Sequence, residues 1–245
     1  MLNGRLFPKE ELDRYCRWNG GRTGGNVKRV VLEFQGLNRV EMPDQPSPLE
    51  LELGERHVLY VIPYTAPWSW MNRSAVIYTD VLVESLFRAL DLPSEVPLVS
   101  SGYSMGGQAA LMYTLLGGHR ISACYANSPV CDLTAHFQER EDIPRTLVNA
   151  FACGPGSLEA ELEAHSPLFR AEELPDIPYM IVAGGADRQV HKNVHSDRFV
   201  SRMRELGRNV RYCEPADMKH WQITDYQVYR AYVNFICGDA QDVAV

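Results

Sequence analysis

Residues 96–116, VPLVSSGYSMGGQAALMYTLL, constrain this chain more than any other stretch. A β-branched apolar run leads into Gly102-Tyr103-Ser104-Met105-Gly106, and a segment rich in Ala, Leu and Met follows at once. That order predicts a strand, a sharp turn and a helix, with a serine at the apex of a G-x-S-x-G motif. A serine on so tight a turn leaves no room for a Cβ two residues to either side, which only glycine tolerates. The turn lifts the hydroxyl off the end of a sheet and sets the first N–H groups of the helix beside any oxyanion formed there. A bare G-x-S-x-G recurs by chance, but one set between a buried-strand signal and a helix signal marks a nucleophile.

The rest of the chain alternates in the same way. Further strands are predicted over residues 28–34, 57–64, 121–127, 177–183 and 209–214, and helices over 75–90, 195–206 and 226–236. Asn72 stands where the first of these helices needs an N-cap. Residues 1–26 predict at most one short edge strand or helix and then a turn. Residues 41–56, Pro-rich and acidic, predict a loop, and residues 130–165 a small helical insertion over the site. The strands are continuous apolar runs, which fits an α/β fold whose mostly parallel sheet is covered on both faces by helices. In such sheets the site lies outside the carboxyl ends of the strands.

A serine hydroxyl needs a general base, and the base needs a carboxylate to orient it. Of seven histidines, His220 follows the last strand directly before the C-terminal helix, on the edge where Ser104 emerges. His191 is the runner-up. For the acid, Asp187 ends a strand behind Gly184-Gly185-Ala186, and those glycines let the backbone turn sharply. Asp132 is next, while Asp217 and Asp225 lie too close to His220 along the chain. The order Ser104, Asp187, His220 is the one this fold uses. For the oxyanion, the Met105 N–H supplies one donor, and the loop after residue 34 the second, through Leu37 or, alternatively, Gly36. Tyr64, Trp68, Trp70, Tyr103 and Trp221 gather at the same edge and suggest an aromatic-lined substrate pocket. No residue stands out as a buried charge for a charged substrate.

With 245 residues, 45% of them hydrophobic, the chain fits one domain with a large core. A net charge of −7 without a basic cluster speaks against nucleic acid or an anionic membrane as partner. The six cysteines form no C-x-x-C pair and no zinc spacing, so neither metal nor cofactor is expected. They read as small buried hydrophobes, with a disulfide between Cys124 and Cys131 left open. The N-terminus has no apolar signal region and no run approaches a membrane span, so a cytoplasmic setting is the expectation. A homo-oligomer is left open.

From about residue 27 onward the chain resembles the α/β-hydrolase superfamily. The segments carrying the likeness are Gly102-Tyr103-Ser104-Met105-Gly106-Gly107, Ser128-Pro129-Val130-Cys131-Asp132-Leu133, Ser166-Pro167 and Asp187-Arg188-Gln189-Val190. Within the superfamily they resemble the catalytic domain of prolyl oligopeptidase-like proteins and small bacterial esterases. The resemblance implies one α/β-hydrolase domain over residues 1–245 with a cap-like insertion at about 130–165, a nucleophile at Ser104, an acid at Asp187 and a base at His220. Many members carry His-Gly or Tyr-Gly where this chain has Gln35-Gly36, and an N-terminal propeller of the kind found in prolyl oligopeptidases is not expected. The expectation is a serine hydrolase of small carboxylic esters working through an acyl-enzyme on Ser104. A prolyl oligopeptidase-like peptidase of short peptides is the alternative, and a non-catalytic binding protein of the same fold is third.

Overall fold

The computed structural model describes residues 6–39 and 45–239. Seven strands form one sheet: β1 (Cys16–Trp18), β2 (Arg29–Phe34), β3 (Val58–Pro63), β4 (Leu98–Tyr103), β5 (Ile121–Asn127), β6 (Tyr179–Val182) and β7 (Val210–Cys213). Their order is β1-β3-β2-β4-β5-β6-β7, and every pairing is parallel except β1 with β3. Parallel pairing puts the carboxyl ends of β2, β4, β5, β6 and β7 on one edge.

Among the described residues eight α-helices accompany the sheet: α1 (Pro48–Glu55), α2 (Arg73–Ala89), α3 (Met105–Leu116), α4 (Leu133–Glu139), α5 (Ile143–Phe151), α6 (Leu158–Ala164), α7 (Ser196–Glu205) and α8 (Tyr226–Cys237). Val30, Leu32 and Phe34 of β2 join Leu82 and Leu86 of α2, residues 109–113 of α3 and Phe199 and Met203 of α7 in one apolar layer. Val31, one residue out of phase, faces the other layer with Leu53 of α1 and Val228, Val233 and Ile236 of α8. That two-residue alternation is why strands reading as unbroken apolar runs need helices on both faces. Truncating a fully buried leucine such as Leu82 to alanine in such a layer costs about 2–5 kcal/mol.

Most predicted elements match within two residues, and Asn72 caps α2 by accepting from Ala75 N at 3.0 Å. The stretch 41–56 departs from the expectation. Residues 41–44 lie outside the described residues, but Pro48–Glu55 is a helix rather than loop. Ser47 and Glu50 form a capping box, each side chain bonding the other's backbone N–H, and Pro48 opens the first turn, where its missing N–H costs nothing. Proline and acidic residues here are helix-start chemistry, not loop composition. The six cysteines are free thiols, and the Cys124–Cys131 pairing left open in the sequence is not formed. No helix among the described residues is long and apolar enough to cross a membrane.

One charged side chain sits inside the sheet. Glu33 on β2 is 6% exposed and accepts a 2.5 Å bond from the Ser101 hydroxyl on the paired strand β4. Burial pushes its carboxyl up to about 7, against the pull of hydrogen bonds from Ser101 and Tyr60. A carboxyl that holds its proton more tightly folded than unfolded stabilises fully below pH ~4.5 and loses that contribution as pH rises through 7. The shift corresponds to about 3 kcal/mol. Urea unfolding of Glu33→Gln at pH 5 and pH 8 is expected to show a smaller loss of stability across that interval than wild type, by about 2–3 kcal/mol. Equal losses in the two proteins would remove Glu33 as the cause.

Candidate active site

The turn between β4 and α3 is strained where the sequence placed its serine. Ser104 has φ 59° and ψ −125°, a conformation non-glycine residues adopt only where the surroundings enforce it. A bond from Ser104 N to Asn127 O at 2.8 Å carries the β4–β5 ladder past the bend. A Cβ on Gly102 would lie 2.2 Å from the Gly106 carbonyl oxygen, and one on Gly106 only 1.9 Å from that of Phe34. The two glycines are thus required by close backbone approach, as the motif implied.

His220 comes from the loop after β7 and Asp187 from the loop after β6. His220 Nε2 lies 2.8 Å from Ser104 Oγ, and its Nδ1 lies 2.7 Å from Asp187 Oδ2. The other carboxylate oxygen of Asp187 accepts from the backbone N–H groups of Gln189 at 2.8 Å and Val190 at 3.1 Å. Burial pushes the Asp187 carboxyl up, but the His220 contact and the two N–H bonds outweigh it and hold the carboxyl below its ordinary value. It therefore stays ionised. Gly184 and Gly185 do more than bend the acid loop: a Cβ on either would lie 2.2 Å from the Met218 oxygen or 2.6 Å from that of Ala216. They let the acid loop lie against the base loop. Asn127 Nδ2 bonds the Trp221 carbonyl at 2.9 Å and Ser128 Oγ accepts from Trp221 N at 3.2 Å, so the end of β5 fixes the chain beside His220.

The runner-up groups are occupied elsewhere. Asp132 caps α4 and pairs with Arg198 at 2.8 Å, Asp225 caps α8, and His191 is half exposed, 3.3 Å from Glu139.

A cavity of about 190 Å3 opens at Ser104 and His220, lined also by Gly36, Leu37, Tyr103, Gln189, Trp221 and two arginines, Arg39 and Arg140. A second of about 240 Å3 adjoins it, sharing Gly36 and Arg39 and bordered by Tyr64 and Met105. Of the five aromatic residues singled out in the sequence, Tyr103 and Trp221 therefore flank the serine and Tyr64 borders the neighbouring space. Trp68 donates to Asn38 Oδ1 at 2.6 Å and lies under the Arg145 guanidinium, 4.8 Å from ring to Cζ. Trp70 is 1% exposed and donates to Thr146 Oγ1 at 3.0 Å, inside the apolar cluster of α4, α5 and α6. Met105 opens α3, where N–H groups have no acceptor within the helix, and a Cβ on Gly36 would lie 3.5 Å from that of Ser104. The turn holding Gly36 and Leu37 thus packs directly beside the serine. The sequence reading missed Arg39, Arg140 and Gln189. Arg39 had a usable signal, standing two residues beyond Leu37 on the edge already identified.

One further cluster was invisible in the spacing. His136, Glu139 and His195 bring their ligand atoms within 4.8 Å of one another. Glu139 Oε2 accepts from His136 Nδ1 at 2.6 Å and His195 Nε2 at 2.9 Å. His195 Nδ1 in turn accepts from the backbone N–H groups of Cys131 and Asp132 at 3.3 and 3.2 Å. That acceptor role puts the ring proton on Nε2, the atom a metal would need free. The donor set therefore fits a hydrogen-bonded knot rather than a metal centre. Burial raises the Glu139 carboxyl, but the two histidine bonds outweigh it and hold it well below the usual range.

The fold and this chemistry define a class, the serine hydrolases of the α/β-hydrolase fold. The prolyl oligopeptidase family model matches residues 84–240, and the chain belongs to that family. The uncomplexed acylaminoacyl peptidase of Pyrococcus horikoshii superposes with a TM-score of 0.70 at 14% identity, over 90% of this chain and 39% of that one. Dipeptidyl peptidase 4 of Porphyromonas gingivalis gives 0.65 at 18% identity, over 88% of this chain and 32% of that one. Esterase B of Lactobacillus Rhamnosis gives 0.65 at 11% identity, over 87% and 77%. The chain covers only 33% of two further acylaminoacyl peptidase chains, so it spans about a third of the length of these peptidases. No curated protein sequence matches it.

Proposed function

We propose that this protein hydrolyses small carboxylic esters through an acyl-enzyme on Ser104. The observation that carries the reading is His220, bonded to Ser104 Oγ on one ring nitrogen and to Asp187 on the other. As Ser104 Oγ attacks the carbonyl carbon, Nε2 takes the hydroxyl proton, and Nδ1–H keeps its bond to the ionised Asp187 carboxylate. The carbonyl oxygen becomes an oxyanion held by the Met105 N–H and, from the neighbouring turn, the Leu37 N–H. Collapse breaks the bond to the leaving alkoxide, which receives the proton from Nε2. Water, deprotonated by the same nitrogen, then releases the acid and restores Ser104. In this reading α4, α5 and α6 act as a small cap, and Tyr103 and Trp221 line the substrate space.

Cleavage of short peptides is the second reading, favoured by the match to a peptidase family and by peptidase neighbours. A fluorophosphonate probe is expected to label wild type and not Ser104→Ala; equal labelling of both would overturn the nucleophile. Release of p-nitrophenol from short-chain esters without cleavage of proline aryl amides supports the ester reading, and the reverse result supports the peptide one.

A further inference from the structure

We infer that the substrate carries a carboxylate on its acyl side, received by Arg39 with Arg140 lining the same cavity; the inference rests on Ser104 being the nucleophile. The cavity at Ser104 is lined by Arg39, Arg140, Asn38 and Gln189, and its described lining contains no carboxylate side chain. A cavity of about 190 Å3 is small for a ligand site, so the group it takes is short. Beside the Tyr103 and Trp221 rings expected from the sequence, the cavity carries two cationic side chains.

The two arginines differ in how far they are already neutralised. Arg140 grips Asp142 with Nε and Nη2 at 3.0 and 2.7 Å, and its Nη1 reaches Gln189 Oε1 at 3.2 Å. Its charge is largely matched. Arg39 has only neutral partners among the described residues: its guanidinium lies near the Tyr103 hydroxyl and 5.6 Å from the Trp221 ring. Both partners orient the planar fork beside the residues flanking Ser104 and His220 without cancelling its charge. An arginine held this way is matched to a planar carboxylate, which it meets with two parallel bonds.

Position decides the side of the scissile bond. Arg39 borders both cavities, and what they share besides it is Gly36, in the turn beside Ser104; the second also touches Met105. His220 lines only the first cavity, so in this inference the acyl group extends from Ser104 past Gly36 and Arg39 toward the second, and the leaving group stays on the His220 side. A dicarboxylic half-ester of succinyl length satisfies the charge, the size and the side together. The products would be a dicarboxylate and an alcohol.

The test compares p-nitrophenyl hemisuccinate with p-nitrophenyl butyrate, equal in acyl length and leaving group. Wild type is expected to favour the hemisuccinate at least tenfold in kcat/KM, with the difference in KM, and 0.5 M salt to reduce the ratio by screening. Arg39→Gln should reduce the ratio at least tenfold, Arg39→Lys should restore part of it, and Arg140→Gln should reduce it less. Fluorophosphonate labelling runs in parallel. A protein that labels and hydrolyses both esters with equal kcat/KM overturns the carboxylate assignment alone, as does an Arg39→Gln ratio equal to wild type. A protein that neither labels nor hydrolyses either ester overturns the nucleophile and this inference with it.

Discussion

Replacing Ser104 with alanine is expected to lower kcat on an activated ester by about a millionfold, His220→Ala by a similar factor, and the double variant by no more than either alone. The three groups act on one proton, so removing any one leaves the others nothing to transfer. Asp187→Asn should cost less, about ten-thousandfold, for a reason visible in its bonds. The Gln189 and Val190 N–H groups both bond Asp187 Oδ1 and would hold the asparagine oxygen there. The amide NH2 would then face His220 Nδ1 as a donor. The ring must answer by moving its proton to Nε2, where it can no longer accept from Ser104. Steady-state kinetics with circular dichroism as a fold check reads all four proteins. Losses that multiply in the double variant would dismantle the shared-proton mechanism.

The second large effect is structural. Gly106→Ala places a Cβ 1.9 Å from the Phe34 carbonyl oxygen, an atom at the end of a central strand that cannot yield as a flexible side chain would. Destabilisation of about 4 kcal/mol or more is expected, and the relief the chain finds must shift either α3 or the turn after β2. Either shift separates Met105 from Leu37, so folded protein recovered at low temperature should also label slowly with a fluorophosphonate. Gly21→Ala is the control, since nothing lies within 4 Å of its Cβ, and it should change stability by less than about 0.5 kcal/mol. A Gly106→Ala protein as stable and reactive as wild type would show that the turn has slack.

What the sequence disclosed depended on how local the cause was. Unbroken apolar runs and the glycine-flanked serine are short-range signals, so the alternation of strands and helices and the edge carrying Ser104, Asp187 and His220 were legible from them. Helix α1 was hidden because Pro48 and its acidic neighbours have two meanings, and only the reciprocal Ser47–Glu50 bonds tell a helix start from a loop. Trp70 and Trp221 carry the same ring yet lie in the core and at the cavity, respectively. A sequence shows an aromatic side chain but not which way the loop turns it. The knot at Glu139 joins residues 56 apart, with no spacing to announce it.

That knot bears on how such an enzyme can be rebuilt. Glu139 ends α4 in the segment between β5 and β6, while His191 and His195 lie just past Asp187. A chimera that imports a foreign insertion without residues 187–195 would strand the buried His195 Nε2–H with no acceptor, at about 1–3 kcal/mol. The distortion would fall on the stretch holding the acid. Insertion and acid loop are therefore one transplantable cassette, and exchanges between relatives should cut outside both.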